Sequence, residues 1–163
     1  KRVGLMGKEF EMLKFRTMVV DAEKILQSDP RLKEIYQKSS YKIKNDPRVT
    51  RVGRTLRKFS LDELPQLINI LKGEMSLVGP RAYKKDELES QLKLYPHLKK
   101  YARVVMTVKP GLTGVWQTSG RSEIGFEKRI MLDYSYAKKR SLLFDIWLIL
   151  KTIPAVLTSK GAW

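Results

Sequence analysis

Residues 60–73 read SLDELPQLINILKG and carry both the start and the stop of a helix. Ser60 and Glu63 match the S-x-x-E capping box, in which each side chain bonds a free backbone N–H of the first turn. Lys72 and Gly73 match the cation and the glycine that often close a helix. The stretch therefore predicts a helix that begins at Ser60 and ends before Gly73.

This predicted helix has two faces of different chemistry, because side chains three and four positions apart share a side. The apolar face comprises Leu61, Leu64, Leu67, Ile68 and Leu71. The polar face comprises Asp62, Gln66 and Asn69. We expect the apolar face to pack into the core and the polar face to lie on the opposite side.

The rest of the 163 residues predicts one α+β domain, predominantly helical, with a short β-hairpin and small strands. Its expected parts are a hairpin at 1–20, a Lys-rich variable excursion at 28–45, an active-site core at 46–121 and C-terminal helices at 122–163. The last helix, 142–157, is apolar nearly all round, so it could be a core helix or lie at a membrane interface.

A second amphipathic helix is expected just before residue 60. Asp46-Pro47 resembles an N-cap followed by proline in the first turn. Val49, Val52 and Leu56 would then form an apolar stripe, and the remaining arc carries Arg48, Arg51, Arg54 and Arg57. These arginines could be a solvated face or could meet lipid headgroups or phosphates.

Composition limits the possible functions. The chain has 33 Lys and Arg against 17 Asp and Glu, a net charge of +16, which predicts a nucleic acid, an anionic membrane or phosphorylated molecules as partners. Cysteine is absent and His97 is the only histidine, which excludes two-histidine metal sites and cysteine-based zinc or iron–sulfur sites. No apolar stretch approaches the ~20 residues of a spanning helix.

Asp62 is the strongest candidate for chemistry. In the first turn of a helix, free N–H groups favour an ionised carboxylate, and Arg57 could offset its repulsion from an anionic substrate. A carboxylate that attacks a phosphoryl group forms an acyl phosphate, and the adjacent Glu63 would suit Mg²⁺. The alternative is that both acidic residues only stabilise the helix start.

Four stretches together resemble the bacterial sugar transferase family, the monotopic polyprenyl-phosphate phosphoglycosyl transferases. They are KFRTM at 14–18, SLDELPQL at 60–67, NILKGEMSLVGPR at 69–81, and KPGLTGVWQ with SGR at 109–121. The resemblance covers essentially the whole chain. Ala82 departs from the proline that the family usually has there, and the family's N-terminal membrane anchor is not found before the hairpin, so the chain resembles a catalytic domain without that anchor.

The resemblance implies a reaction and a place. A nucleotide diphosphosugar, usually a UDP-sugar, would give its phosphosugar to undecaprenyl phosphate at the cytoplasmic face of the bacterial inner membrane, and UMP would leave. The product would start capsule, exopolysaccharide, O-antigen or glycoprotein glycan assembly. By this resemblance Asp62 forms a covalent phosphosugar intermediate and Glu63 helps to bind Mg²⁺.

The resemblance also implies roles for other motif residues. Phosphates of donor or acceptor would be held by Lys14, Arg16, Arg57, Arg81 and Arg121, and Gln117 could touch the nucleotide or sugar. Asp133 and Asp145 could orient these cations, or each could form a structural ion pair.

Two other functions are also compatible with the sequence. A basic nucleic-acid-binding module fits the charge, but the chain has no zinc-finger spacing, RNP-like strand or basic-region heptads, so no nucleic acid is expected. A catalytically silent membrane-associated scaffold of the same fold is the other, and the intact Asp62-Glu63 pair argues against it.

Overall fold

The computed structural model describes residues 1–38, 43, 45–120 and 124–158. It confirms a predominantly helical α+β fold. The helices are α1 (Ala22–Ser28), α2 (Pro30–Lys38), α3 (Arg51–Lys58), α4 (Gln66–Leu71), α5 (Lys85–Leu94), α6 (Lys99–Val105), α7 (Val115–Thr118), α8 (Phe126–Lys139) and α9 (Leu142–Leu157). The strands are β1 (Arg2–Val3), β2 (Glu9–Phe10), β3 (Ser76–Val78) and β4 (Gly111–Thr113).

The strands form two small sheets. β1 and β2 pair antiparallel around the 3₁₀ turn Leu5–Gly7, which confirms the predicted hairpin in a shorter form. β3 and β4 pair in parallel, with Val78 opposite Thr113. This pair accounts for the small strands expected from the sequence, and α7 follows β4 directly.

A close approach of two glycines makes the second sheet possible. A Cβ built on Gly111 would lie 2.0 Å from the backbone nitrogen of Gly79, and one on Gly79 would lie 2.5 Å from the carbonyl oxygen of Lys109. The backbones at these positions therefore meet with no room for a side chain. This contact sets where the following residues, Pro80 and Arg81, leave the sheet.

The core consists of three clusters of buried apolar side chains. The largest joins α5, α6 and α8 through Tyr83, Leu88, Leu98, Ala102, Phe126 and Ile130. The second joins β3, α8 and α9 through Val78, Val108, Tyr136 and Leu148. The third comprises Phe10, Met75 and Ala82. The GPR loop at 79–81 lies among these clusters, so its position is well supported.

The expected orientation of the 60–73 helix is wrong. The stretch is split into a 3₁₀ turn, Leu61–Glu63, and α4, and its apolar side chains point outward. Leu71 is 87% exposed, and Leu61, Leu64, Leu67 and Ile68 are exposed as well. The polar face is buried instead: Asn69 is 1% exposed, and Gln66 and Asp62 are also buried.

Hydrogen bonds from distant backbone make this inversion possible. The Asn69 side chain accepts from the N–H of Leu13 at 2.9 Å and donates to the carbonyl of Glu11 at 2.8 Å. It also donates to the carboxylate of Glu74 at 2.7 Å. Burying an amide costs little free energy when its hydrogen bonds are satisfied. Here the backbone of residues 11–13 supplies hydrogen bonds that water would otherwise make.

The expected arginine helix also differs from the structure. α3 begins later, with the Thr50 hydroxyl accepting from the N–H of Gly53 at 2.9 Å. Arg48 is only 3% exposed and lies in an ion pair with Asp46, Nη2 to Oδ2 at 2.7 Å. Asp46 and Arg48 are two residues apart and outside a helix, and their side chains satisfy each other. Arg48 is therefore not part of an exposed arginine face. Val52 is exposed, which removes the expected stripe.

Two helical segments refine the remaining expectations. α2 occupies much of the predicted excursion at 28–45, and the Asp29 carboxylate caps it by accepting from the N–H groups of Arg31 and Leu32. α9 has its expected bounds and is buried on one side only: Leu148 is fully buried, whereas Leu143 and Leu150 are exposed. Among the helices that the structure describes, none is both long and apolar enough to cross a membrane.

Candidate active site

A cleft of about 790 Å³ brings together most of the predicted site residues. It is lined by the 3₁₀ turn 61–63, the KFRTM segment, the end of α3, the GPR loop, α7 and the second half of α9. The predicted site residues that line the cleft are Lys14, Arg57, Asp62, Glu63, Arg81 and Gln117.

The 3₁₀ turn presents Asp62 to this cleft. Asp62 is 7% exposed, and its carbonyl oxygen accepts from the N–H of Phe15 at 2.9 Å, which ties the turn to the KFRTM segment. The expected capping box is absent: Ser60 has a left-handed backbone (φ 56°) and makes no side-chain cap hydrogen bond. A three-residue turn offers little helix dipole, so nearby side chains must stabilise the charge on Asp62.

Lys14 supplies one stabilising charge. Its Nζ donates to Oε1 of Glu63 at 2.6 Å and lies 3.9 Å from Oδ2 of Asp62. Burial raises the pKa of Asp62 above its ordinary value; the Lys14 charge opposes this rise, and Glu63 adds to it. The pKa of Asp62 is therefore set by burial and Glu63, which raise it, and by the nearby cations, which lower it. A helix start does not by itself keep this carboxylate ionised.

Arg57 supplies the second charge. It is half-buried, and its Nε donates to the hydroxyl of Thr17 at 3.0 Å. Burial lowers the pKa of Arg57, while the charges of Asp62 and Asp46 raise it. We call Lys14, Arg57, Asp62 and Glu63 the Asp62 cluster.

Arg81 lines another part of the cleft and belongs to a second group of charged side chains. Its backbone N–H donates to Oδ2 of Asp133 at 3.2 Å, and the same oxygen accepts from the hydroxyl of Tyr83 at 2.8 Å. Asp133 is completely buried, and burial raises its pKa to about 7, against the hydrogen bonds and the Arg129 charge that lower it. Asp133 therefore positions the GPR loop through its backbone.

Trp116 joins two arginines in this region. The guanidinium carbons of Arg81 and Arg129 lie 4.8 and 5.4 Å from the centre of its ring. Arg129 is buried, and its Nη2 donates to the carbonyl of Ile124 at 2.7 Å, with Nη1 3.9 Å from Oε1 of Glu87. Contact with an aromatic face and a desolvated setting both strengthen such cation–π attraction.

Sequence reasoning missed three charged residues of this region: Arg2, Glu87 and Arg129. We call them, with Arg81 and Asp133, the Arg81 cluster. Arg129 could have been found, because it lies four positions before Asp133 on one helix and so shares its face. Arg2 and Glu87 carry no comparable local signal, since only the tertiary fold brings β1 and α5 to the cleft.

The remaining predicted residues lie elsewhere or make other contacts. Arg16 is exposed and does not line the cleft, and Arg121 lies outside the described residues. The Asp145 carboxylate accepts from the hydroxyl of Tyr136 at 2.8 Å, so its observed partner is a tyrosine. The Gln117 amide donates to the carbonyl of Leu112 at 3.2 Å.

The Asp62 cluster fits magnesium of the kind that is shared with a substrate. Mg²⁺ is commonly held by one or two carboxylates together with substrate phosphates and water. Within the described residues, no group of three or more His, Asp or Glu side chains could form a complete protein cage. Two adjacent carboxylates suit the shared arrangement, and Mg²⁺ at Glu63 would displace the Lys14 ammonium that now lies 2.6 Å from its Oε1.

Comparison with known proteins agrees with these motifs. The family model described as bacterial sugar transferase matches residues 1–159. The exopolysaccharide production protein ExoY of Sinorhizobium fredii is 46% identical over all of this chain, which spans 70% of that protein. The undecaprenyl-phosphate galactose phosphotransferase of Salmonella typhimurium is 44% identical, again over all of this chain but 33% of its own length. The UDP-glucose:undecaprenyl-phosphate glucose-1-phosphate transferase of Escherichia coli is 38% identical over 99% of this chain and 32% of its own length. The chain therefore belongs to the bacterial sugar transferase family.

Proposed function

We propose that the chain transfers a phosphosugar from a nucleotide diphosphosugar, most simply a UDP-sugar, to polyprenyl phosphate. The observation that carries this proposal is the Asp62 carboxylate, which lines the cleft with Lys14 3.9 Å away and the charge of Arg57 also acting on it. The names of the relatives from Salmonella typhimurium and Escherichia coli, which specify undecaprenyl phosphate and a sugar phosphate, support the substrate class.

The proposed reaction has two displacements at phosphorus. In the first, an Oδ atom of Asp62 attacks the phosphorus bonded to the sugar, and the bond to the nucleotide oxygen breaks, so that UMP leaves and an aspartyl phosphosugar remains. In the second, an oxygen of the polyprenyl phosphate attacks the same phosphorus. The Asp62 carboxylate is then regenerated, and a polyprenyl diphosphosugar is the product.

The other cleft residues fit the charges of this reaction. Lys14 and Arg57 reduce the repulsion between an ionised Asp62 and an anionic substrate, because both cations act on that carboxylate. Mg²⁺ held by Glu63 and the diphosphate would neutralise charge on the leaving group. Arg81 lines the same cleft and can hold further phosphate oxygens by its planar fork of donors.

An exposed apolar surface next to the cleft supports a membrane-bound acceptor. It comprises Leu61, Leu64, Leu67, Ile68, Leu71 and Leu77 together with Leu142, Leu143, Ile146, Trp147, Leu150 and Ile153 of α9. Leu61, Leu64, Leu77 and Ile153 also line the cleft. We propose that this surface rests on an anionic membrane, so that the prenyl chain stays in lipid while its phosphate reaches Asp62.

The place of the reaction follows from these substrates. A lipid carrier and a nucleotide sugar meet at the cytoplasmic face of the inner membrane, and the product is a starting lipid-linked sugar. We propose that it begins exopolysaccharide or capsule assembly, and the name of the ExoY relative supports the first of these. The net charge of +16 fits attraction to that membrane surface.

The test of the chemistry is intact-protein mass spectrometry. The chain is mixed with Mg²⁺ and a panel of UDP-sugars, with Asp62→Asn as the control. We expect a mass gain of one phosphosugar with one donor, with release of UMP, and no gain in the variant. A gain that persists in Asp62→Asn would remove Asp62 as the nucleophile.

The membrane contact has a separate test. Co-sedimentation with vesicles that contain phosphatidylglycerol should fall when Leu64 and Leu150 are both changed to Glu, since charge on an inserting face opposes burial in lipid. Changing Ile35 and Leu94, which are exposed and lie outside the defined surface, both to Glu is the matched control, because it adds the same two charges. Equal binding by both variants would contradict the proposed surface.

A further inference from the structure

The Arg81 cluster holds arginine N–H groups that are buried and lack a hydrogen-bond partner. Nη1 of Arg2, Nε of Arg81 and Nε of Arg129 are inaccessible to solvent, and nothing in the described part of the chain accepts from them. Arg2 and Arg81 line the cleft, whereas Arg129 is buried beneath Trp116. Unsatisfied buried donors are rare in folded proteins, so three in one cluster require a physical reason.

The backbone places Arg2 beside the GPR loop. The N–H of Val3 donates to the carbonyl of Tyr83 at 2.9 Å, two residues after Arg81. Side chains of successive strand residues point to opposite sides. Val3 accordingly packs on the largest core cluster, while Arg2 lines the cleft.

The carboxylates of this region do not accept from these N–H groups, although Oδ1 of Asp133 is also buried without a hydrogen-bond partner. Glu87 lies 3.9 Å from the guanidinium of Arg129. One oxygen of Asp133 accepts from the backbone of Arg81 and the hydroxyl of Tyr83. Within the cluster three arginines face two carboxylates. Burial and then repulsion from Arg81 lower the pKa of Arg2, and they outweigh Glu87 and, from outside the cluster, Asp86, which raise it. Since arginine keeps its proton in proteins, the cluster retains excess positive charge.

A purely structural arginine would not be placed in this way. Desolvating a guanidinium without a matching acceptor opposes folding, and a second nearby guanidinium opposes it further. An anion with several oxygens that enters the cleft offsets these costs, because its charge balances the excess positive charge and its oxygens can accept from the guanidinium groups of Arg2 and Arg81 that line the cleft. The two arginines that line the cleft are in position to receive such an anion.

We propose that Arg2 and Arg81 together form an anion subsite that binds a phosphate group of the substrate. Two sources share this chemistry: the phosphate of the nucleotide and the phosphate of the prenyl acceptor. The assignment to a substrate rests on the proposed function, but binding of a phosphate does not. Arg2 thereby becomes a binding residue of the cleft, although it lies outside every motif of the sequence.

Isothermal titration calorimetry on the whole chain tests the subsite. The probes are UMP and a short, water-soluble prenyl phosphate, and the variants are Arg2→Gln, Arg81→Gln and both together. Arg103→Gln, which removes one charge from an exposed position of α6, is the matched control. We expect either arginine change to weaken one probe by about 10- to 100-fold, the usual effect of a lost charged hydrogen bond, and Arg103→Gln to change it little.

The probe that weakens identifies the source of the phosphate. If both arginines hold the same anion, the double variant should bind more tightly than the product of the two single losses predicts. Arg2→Gln should also leave the melting temperature of the ligand-free chain equal or higher, because it removes a buried donor without a partner. A structural role would instead lower the melting temperature.

Three results would overturn the subsite. They are unchanged binding of both probes by Arg2→Gln, a loss as large in Arg103→Gln, or no binding of either probe to the unchanged chain. The proposed function fails separately, by the absence of a phosphosugar adduct on Asp62. Calorimetry with Asp62→Asn keeps the two apart, because this variant retains both arginines.

Discussion

The two charged clusters of the cleft differ in how their charges are paired. In the Asp62 cluster two cations act on two carboxylates, and Lys14 contacts both of them, at 2.6 and 3.9 Å. In the Arg81 cluster three arginines meet two carboxylates, and three of the guanidinium nitrogens have no acceptor among the described residues. The first cluster is balanced and partly open to solvent, and the second is unbalanced and largely buried.

This difference separates two tasks. A nucleophile must be ionised, must lose its charge in a covalent bond and must regain it, and balanced neighbours keep both states accessible. A binding subsite performs best when its donors are fixed and unsatisfied before the ligand arrives, since no reorganisation is then required. The Asp62 cluster therefore suits the chemical step, and the Arg81 cluster suits substrate binding.

The largest expected effect is a split between kcat and KM. Asp62→Asn should lower kcat more than about 1000-fold, because it removes the attacking atom, and leave nucleotide binding nearly intact. Arg81→Gln should act mainly on KM, since it removes a contact made before the chemical step. The measurement is steady-state transfer of labelled phosphosugar to a prenyl phosphate in detergent.

One result would contradict this division of roles between the two clusters. If Arg81→Gln lowered kcat as much as Asp62→Asn at saturating donor, the two clusters would act as one catalytic unit. Arg103→Gln serves as the charge-matched control, because Arg103 is exposed and does not line the cleft.

A smaller effect concerns stability and pH. Burial raises the pKa of Asp133 from 3.8 to about 7. Below pH ~4 this carboxyl is protonated in the folded and the unfolded chain, but between pH ~4 and ~7 only the unfolded chain releases the proton. The free energy of unfolding should therefore fall by about 4 kcal/mol across this interval on account of Asp133 alone.

Urea unfolding of Asp133→Asn isolates that contribution. The asparagine oxygen can still accept from Arg81 and Tyr83, so the variant resembles the protonated carboxyl. We expect it to gain stability relative to the unchanged chain as pH rises from 4 to 7. Parallel stability curves for the two proteins would show that Asp133 is already ionised at low pH and is fully compensated by its arginines.

The inverted 60–73 segment shows what could be predicted from sequence. The grouping of Asp62, Gln66 and Asn69 on one face, away from the leucines, is confirmed. Which face would be buried depended on the backbone of residues 11–13, which supplies hydrogen bonds to Asn69 from more than fifty positions away. Amphipathic spacing defines faces, but the partners of each face decide its orientation.

The site shows the same division. The motif residues Lys14, Arg57 and Asp62 were predicted, and the structure brings them together. The spacing of Arg129 and Asp133 on α8 is a local signal, but the contacts of α5 and α7 with α8 that complete the buried network depend on the tertiary fold. Arg48 was assigned to a surface face because helical spacing was extended too far upstream, where a local ion pair with Asp46 prevails.

The smallest expected effect belongs to Lys14 and concerns the charge balance of the Asp62 cluster. Its side chain is 34% exposed and that of Glu63 is 33% exposed, so their ion pair should contribute less than about 1 kcal/mol to stability. Among the groups that lower the pKa of Asp62, Lys14 nevertheless has the largest effect. Lys14→Met should therefore leave folding almost unchanged and raise the pKa of Asp62.

The pH profile of kcat/KM detects this shift, because it reports ionisations of the free enzyme. Asp62 must be ionised to attack, so a higher pKa moves the acidic limb of the profile to higher pH, and Lys14→Arg should keep the limb in place. If Lys14→Met raised KM at every pH with an unmoved limb, Lys14 would belong to phosphate binding. The Asp62 cluster would then take part in substrate binding, as the Arg81 cluster does, and Arg57 would be the cation that keeps Asp62 ionised.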